Sequence, residues 1–234
     1  MTTVYIISAP SGSGKSTLVN EVRKIVSGLD FSISYTTRAP RGSEQNGREY
    51  FFVSRAEFED MIRNDEFLEH ADVFGNYYGT ARRFLREAQA HGDDLLLDID
   101  VQGAEQIKKR IPAAASIFVL PPNREKLEWR LRNRGLDSEA VICRRLDTAR
   151  REIENYDKYD YILVNDRLEQ SIDQLKAILL SERLRRSGRP LTNDEQEKVA
   201  LADRNRLENM RTRIQPILDS FRDTPGHCQP KAAL

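Results

Sequence analysis

The first chemistry the sequence offers is a grip on phosphate. Ala9-Pro10-Ser11-Gly12-Ser13-Gly14-Lys15-Ser16, followed by Thr17, nearly matches the pattern Gly-x-x-x-x-Gly-Lys-[Ser/Thr]. Glycines let the backbone curl so that several N–H groups point at one anion. A helix opening behind the loop adds the positive end of its dipole. Lys15 supplies a cation for the β- and γ-phosphates, and Ser16 an oxygen for Mg²⁺. Ala9 stands where the general pattern has its first glycine. A second requirement is an acid at the end of a neighbouring strand, holding Mg²⁺ directly or through water. Leu95-Leu96-Leu97-Asp98 supplies one, with Asp100 two residues on. The competing readings are a glycine-rich turn with a chance Lys-Ser, and an acid that only caps the next helix.

Those groups need rigid elements to hold them. Val4-Tyr5-Ile6-Ile7 reads as a buried strand ahead of the loop, and Leu18, Val19, Val22, Ile25 and Val26 recur at helical spacing behind it. Leu95–Asp98, Ser116–Leu120 and Tyr161–Val164 are apolar without alternation, the mark of parallel strands covered on both faces. Helical patterns lie near Ala104–Lys109 and over Glu125–Arg134, Ser138–Asn155 and Leu168–Arg186; Ser54-Arg55-Ala56-Glu57 is a capping box. The expectation is an α/β fold, a P-loop core with a mainly parallel sheet flanked by helices. Residues 31–80, rich in Tyr, Phe, Thr and Gly, break the rhythm and read as an inserted lobe.

Composition excludes several classes. The 234 residues suit one domain of ordinary size with some to spare, 39% being hydrophobic and 32% charged. No apolar run approaches the roughly 20 residues that cross a bilayer. No basic stretch precedes an apolar one at the N-terminus, so no signal peptide is expected. Two distant cysteines, Cys143 and Cys228, argue against a disulfide framework and for a reduced, cytoplasmic setting. Net charge is zero, so bulk charge does not ask for nucleic acid. After Ser187-Gly188-Arg189-Pro190 the chain changes character. Thr192–Glu195 could cap a helix, and Leu207, Met210, Ile214, Ile217 and Phe221 form a stripe that Pro216 interrupts. This extension, 188–234, reads as a loosely packed helical or partly disordered tail, with self-association as the minority reading.

With the loop in place, Ser34-Tyr35-Thr36-Thr37-Arg38-Ala39-Pro40-Arg41, Gly47-Arg48-Glu49-Tyr50, Phe67-Leu68-Glu69-His70, Gly75-Asn76-Tyr77-Tyr78-Gly79 and Asp98-Ile99-Asp100-Val101-Gln102-Gly103 carry a resemblance. In this order and spacing the chain resembles guanylate kinase of the bacterial type, from about Val4 to Arg186. The resemblance implies transfer of the γ-phosphoryl group of MgATP to GMP, and to its 2′-deoxy analogue, within purine metabolism. It implies a domain over 1–187: a core (1–30, 81–125, 155–187), a GMP lobe (31–80) and an arginine lid at about 126–154.

The residues themselves fit such an acceptor. Arg38 and Arg41 can fork onto phosphate oxygens, and Tyr50 and Tyr78 add O–H donors. Guanine presents N1–H and N2–H₂ donors, so a carboxylate is its matching partner, and Glu69 is the natural reader. Ser34 and Thr80 can serve O6 or nearby atoms. Each of these residues alone would be an ordinary loop charge or packing residue. The resemblance adds Asp100 as a guanine contact and Asn165 as an adenine contact. It makes Arg134 and Arg145 the lid arginines that stabilise the moving phosphoryl group, leaving Arg130, Arg132, Arg144, Arg150 and Arg151 as solvated helix faces. Interleaved acids argue against a nucleic-acid patch there. The attacking phosphate oxygen is already anionic, so no general base is needed, and closure of lobe and lid would exclude water. The rival readings are an inactive protein-binding relative and a kinase for another nucleoside monophosphate. The partners expected are ATP and GMP, with no nucleic acid and no membrane; a homo-oligomer, with the extension as its candidate contact, belongs to the minority reading.

Overall fold

Val4–Ser8 is buried at every position and so is nearly all of Asp94–Asp98, which explains why neither alternates: both faces of each strand are covered. In the computed structural model, residues 2–73, 75–133 and 138–222 are described. Their elements run β1 (Val4–Ser8), α1 (Lys15–Ile25), β2 (Leu29–Phe31), β3 (Tyr35–Thr36), β4 (Phe51–Phe52), α2 (Arg55–Arg63), β5 (Phe67–Val73), β6 (Asn76–Ala81) and α3 (Arg82–His91). They continue through β7 (Asp94–Asp98), α4 (Val101–Arg110), β8 (Ala115–Leu120), α5 (Arg124–Asn133), α6 (Glu139–Ile153), β9 (Tyr161–Val164), α7 (Leu168–Ser187), α8 (Asn193–Asp203) and α9 (Leu207–Arg222). The chain divides into two compact units, residues 1–8 with 26–116, and residues 9–25 with 117–234.

In the first unit β7 lies between β2 and β1, all parallel, with Val4 opposite Leu95 and Leu29 opposite Asp94. Asp94 helps set that register. Its carboxylate accepts from the Thr3 N–H at 2.7 Å and the Tyr5 hydroxyl at 3.3 Å, so the buried charge is hydrogen-bonded rather than stranded. The inserted segment forms a second sheet in the order β4-β3-β6-β5. Helix α2 opens with the expected capping box, Ser54 accepting from the Glu57 N–H and Glu57 accepting from the Ser54 N–H. Phe58 on α2 stacks on Phe67 of β5 at 4.4 Å between centroids and seals the lobe's apolar side. Helix α4 packs on both β1 and β5, so one helix touches both sheets.

In the second unit β8 and β9 are parallel, with Ile117 opposite Tyr161, and α1 packs on α7 through its buried Leu18, Val19 and Val22 face. The extension is folded over its described residues, 188–222. Thr192 caps α8 in a full capping box. The Ile162 N–H donates to Asn205 O at 2.7 Å and the Leu207 N–H to Asp160 O at 3.0 Å, so the extension satisfies backbone groups along β9. Arg206 lies over the Tyr161 ring at 4.8 Å and bonds Asp203 and Glu182, which Arg185 also joins. Helix α9 runs through Pro216 without a break. Its buried face is Met210, Ile214, Ile217, Leu218 and Phe221, set against β9, α5 and α6. The stripe therefore closes on the chain's own core, and the loosely packed reading fails because charge on the outer face obscured a continuous apolar inner one. Of the two cysteines, Cys143 lies on α6 and Cys228 lies outside the described residues. Among the described residues no helix is long and apolar enough to cross a membrane.

Ile214 is fully buried, so Ile214→Ala removes side-chain volume from a packed site. The expected result is a loss of about 2–5 kcal/mol in urea unfolding. A change under about 0.5 kcal/mol, the usual surface value, would show that α9 is not part of the core.

Candidate active site

The phosphate loop joins β1, ending at Ser8, to α1, opening at Lys15. Gly12 and Gly14 sit at φ of 95° and 88°, where side chains are strained. Space excludes a side chain at Gly14 as well, since a Cβ there would lie 2.4 Å from Asn165 Nδ2. The fixed point of the loop is the carbonyl of Ser13. It accepts from Asn165 Nδ2 at 2.7 Å and from Arg130 Nη1 at 3.2 Å, while Arg130 Nη2 donates to Asn165 O at 2.8 Å. In a planar trans peptide the C=O and the next N–H point opposite ways. Holding Ser13 O on Asn165 and Arg130 therefore turns the Gly14 N–H away from them, the orientation an anion-binding loop requires. Ser13 Oγ is fully buried and, among the described residues, has no hydrogen-bond partner. Lys15, Ser16 and Thr17 form the first turn of α1, with Ser16 and Thr17 exposed. Ala9 and Pro10 lead in, and Pro10 O accepts the Ser13 N–H at 3.1 Å; Ser11 is exposed between them.

Arg130 corrects an expectation. It is not a solvated helix face: burial lowers its pKa, and Asp166 partly offsets that. Arginine stays charged in proteins, so a permanent cation bridges the loop and Asn165. Asn165 itself is buried, with its amide committed to the loop. Arg145 lies half-buried on α6, and Arg134 lies outside the described residues.

The first unit holds the other set of residues. Glu69 on β5 and Thr80 on β6 are direct cross-strand partners, so their side chains share one face. A register irregularity between Phe67 and Glu69 helps aim that side chain. Strand β5 is the edge of its sheet, and α4 stitches it down. Gln106 pairs both backbone groups of His70, its Nε2 donating to His70 O at 2.7 Å and its Oε1 accepting the His70 N–H at 3.3 Å. Arg110 Nη1 donates to Phe67 O at 2.9 Å and Leu68 O at 2.7 Å. Glu69 is thus held between pinned neighbours at 3% exposure. Burial pushes its carboxyl up to about 7; the Asp100 carboxylate adds to the rise, and Thr80 and Arg110 oppose it. Asp100 N-caps α4, its Oδ1 accepting the Gly103 N–H at 2.8 Å. The capping role therefore falls on Asp100, while Asp98 closes β7 half-exposed.

Beside this carboxylate stands a cationic cluster. Arg38 Nε donates to the Tyr78 hydroxyl at 3.2 Å, and its guanidinium lies 5.3 Å from the Tyr50 ring centre. The Tyr50 and Tyr78 rings meet edge to face at 5.9 Å. Arg38 Nη2 pairs with Glu44, which also accepts the Arg41 N–H at 2.7 Å. Burial lowers the Arg38 pKa, but the hydrogen bonds to Glu44 and Tyr78 outweigh it and leave it raised. Burial pushes the Tyr50 phenol up to about 12, reinforced by Asp98, so it remains an O–H donor at neutral pH. Arg41 joins through its backbone while its side chain is exposed, and Ser34 is half-buried, its carbonyl bonded by the Phe51 N–H at 2.9 Å. One histidine does meet carboxylates: His91 Nδ1 lies 3.0 Å from Asp30, and the hydrogen bond raises its pKa. With His91 exposed and Asp30 half-exposed, that contact is a surface pair.

Sequence reasoning missed Arg130, Glu44, Gln106, Arg110 and Gly103. Arg130 had a signal, standing four residues before Arg134 in the sequence; Gln106 and Arg110 bond backbone groups brought near only by folding, Glu44 pairs with the Arg38 side chain and the Arg41 N–H, and Gly103 matters through the Cβ it lacks.

A loop that presents backbone N–H groups ahead of Lys-Ser, and a separate arginine–tyrosine cluster beside a buried carboxylate, define a P-loop nucleotide kinase of the α/β class. The family model for guanylate kinase matches residues 1–182. A guanylate kinase of Koribacter versatilis (strain Ellin345) is 58% identical over 224 residues, covering 94% of this chain and 96% of its own. That of Escherichia coli (strain K12) is 49% identical over 203 residues, covering 86% and 98%. The crystal structure of guanylate kinase from Anaplasma phagocytophilum superposes with a TM-score of 0.65 at 35% identity, covering 78% of this chain and 87% of that one. The chain belongs to the guanylate kinase family.

The raised Glu69 pKa carries a sign for stability. A carboxyl raised in the folded state contributes stability that is present below about 4.5 and is lost as pH climbs through about 7. Unfolding of native protein and Glu69→Gln, without ligand, should therefore diverge over that window at on the order of 1.4 kcal/mol per pH unit, the native protein losing ground as pH rises. Parallel pH profiles would show that Glu69 is not held in a desolvated site.

Proposed function

We propose that this member of the guanylate kinase family moves the γ-phosphoryl group of ATP onto GMP, giving ADP and GDP, with the roles divided as follows. The loop 9–17 and Lys15 hold the ATP phosphates. Arg38, Arg41, Tyr50 and Tyr78 hold the GMP phosphate. Glu69 takes the guanine N1–H and N2–H₂ donors, with Ser34, Thr80 and Asp100 around it. Arg134, known here only from sequence, and Arg145 neutralise the group in transfer, and Asn165 serves the adenine end while holding the loop. Residues 31–80 act as the GMP lobe and about 126–154 as the lid.

The observation that carries this reading is the buried Glu69 carboxylate opposite Thr80, an acceptor set in a low-dielectric wall. Guanine's donor edge matches it. Adenine presents an acceptor at N1, and a buried mismatch of that kind discriminates by orders of magnitude. A phosphate oxygen of GMP attacks the γ-phosphorus, the bond to the β–γ bridging oxygen breaks, and ADP leaves. The attacking oxygen is already anionic, so this chain's residues supply position and charge. Ser16 and Asp98 offer the hard oxygen donors that suit Mg²⁺, Ser16 exposed in the first turn of α1 and Asp98 half-exposed at the end of β7. When bound, Mg²⁺ neutralises phosphate charge. A cytoplasmic setting belongs to the same proposal.

A coupled ADP-release assay with ATP and a panel of GMP, dGMP, AMP, UMP and CMP tests it. GMP turnover should exceed AMP turnover by at least about 10²-fold. Lys15→Ala should lower kcat by about 10²-fold or more with the fold intact, as removal of a charge that stabilises the transition state does. Equal turnover of AMP would sink the guanine assignment, and ATP binding without turnover of any acceptor would indicate a binding module.

A further inference from the structure

Gly103 lies in the first turn of α4, fully enclosed, beneath the Glu69 carboxylate. A Cβ built there would stand 2.4 Å from Glu69 Oε2 and 2.9 Å from its Cδ, with Ile99 Cβ at a tolerable 3.4 Å. Its φ is not left-handed, so the backbone does not call for glycine. Helix propensity argues against glycine too, since alanine is the better helix former. What remains is space, and the only atoms that claim it closely are those of one carboxylate.

We propose that Gly103 is a positioning residue for guanine selection: its missing Cβ opens the seat in which the Glu69 carboxylate rests over the first turn of α4. The inference rests on Glu69 reading guanine. The surroundings leave that carboxylate few other places. Thr80 stands opposite it across the β5–β6 pair. Its neighbours Leu68 and His70 are fastened to α4 through Arg110 and Gln106. The Gly103 N–H is already taken by Asp100, so the helix end receives two carboxylates side by side, Asp100 as cap and Glu69 across the empty Cβ position. A methyl group at 103 collides with the end of a side chain rather than with backbone. The fold can absorb it, and the carboxylate must move by something near 1 Å. Displacement of that size in a positioning group costs on the order of 10²-fold in rate.

The test compares native protein, Gly103→Ala, Glu69→Gln and the double variant Gly103→Ala/Glu69→Asp. Steady-state assays use ATP with GMP and with IMP, which lacks the 2-amino donor. Gly103→Ala should stay folded, with an unchanged thermal midpoint or a higher one and a KM for ATP within about twofold of native. Its kcat/KM for GMP should fall about 10- to 100-fold, and by less than that for IMP, so that the GMP:IMP ratio drops. The shorter aspartate should restore part of the ratio in the double variant, which a merely structural role for Gly103 would not produce. A Gly103→Ala enzyme with the native ratio, when Glu69→Gln has lost it, overturns the inference and leaves the Glu69 reading intact. An unfolded Gly103→Ala protein also overturns it, because only a side-chain end is supposed to yield. If Glu69→Gln keeps the native ratio, the Glu69 reading itself fails and the inference falls with it.

Discussion

A carboxylate taken out of water is the constraint around which the acceptor half is organised. Desolvation penalises the charged form of Glu69, and nothing nearby fully compensates it. A group in that condition favours any ligand that brings hydrogen-bond donors. The protein keeps it there by fastening the strand on either side of it: Arg110 holds Phe67 and Leu68, and Gln106 holds His70. Edge strands expose unpaired backbone groups, and here a helix's side chains pair them while also fixing one acid between them. The contacts that pack β5 are the ones that hold this acid in place.

The phosphate loop follows a related logic with the sign reversed. There the exposed groups are N–H donors, and they are oriented by fastening a carbonyl. Ser13 O is gripped by Asn165 and Arg130, so the turn made by two left-handed glycines is fixed by bonds from α5 and from the end of β9. The second unit's helices are supported in turn. Helix α9 packs on α5 and α6, and Ser220 Oγ accepts the Arg124 N–H at 3.1 Å at the start of α5. Helix α9 of the extension is thus part of the scaffold under the loop's anchors. Its length exceeds the matched family model, which ends at residue 182.

Much of this was readable in the residues. The unalternating strands, the capping boxes at Ser54 and Thr192 and the loop itself carry local signals that survive folding unchanged. Glu69, Arg38, Tyr50 and Tyr78 were nameable from the sequence because carboxylate, guanidinium and phenol are the groups that suit the proposed guanine and phosphate contacts. The supporting contacts were not. Gln106 and Arg110 act on backbone atoms whose proximity depends on tertiary structure, Glu44 closes a loop contact with Arg38 and the Arg41 N–H, and Gly103 matters through an absent atom. Arg130 was misread because a charge on a helix is most often solvated. The extension was misread because Pro216 weakened its stripe, although the helix continues through it and buries Ile217, Leu218 and Phe221 beyond.

The most direct test of the account is the proton balance of GMP binding, measured by titration calorimetry at pH 6 and pH 8.5 in buffers of different ionisation enthalpy. A ligand whose donors require the charged carboxylate must drive off the proton held there. Native protein is expected to release close to one proton more than Glu69→Gln at pH 6, and the difference should vanish at pH 8.5; GMP's own phosphate, titrating near pH 6, is common to both. Equal proton release by the two proteins at pH 6 would contradict it, since Glu69 would then not be the group that reads the base.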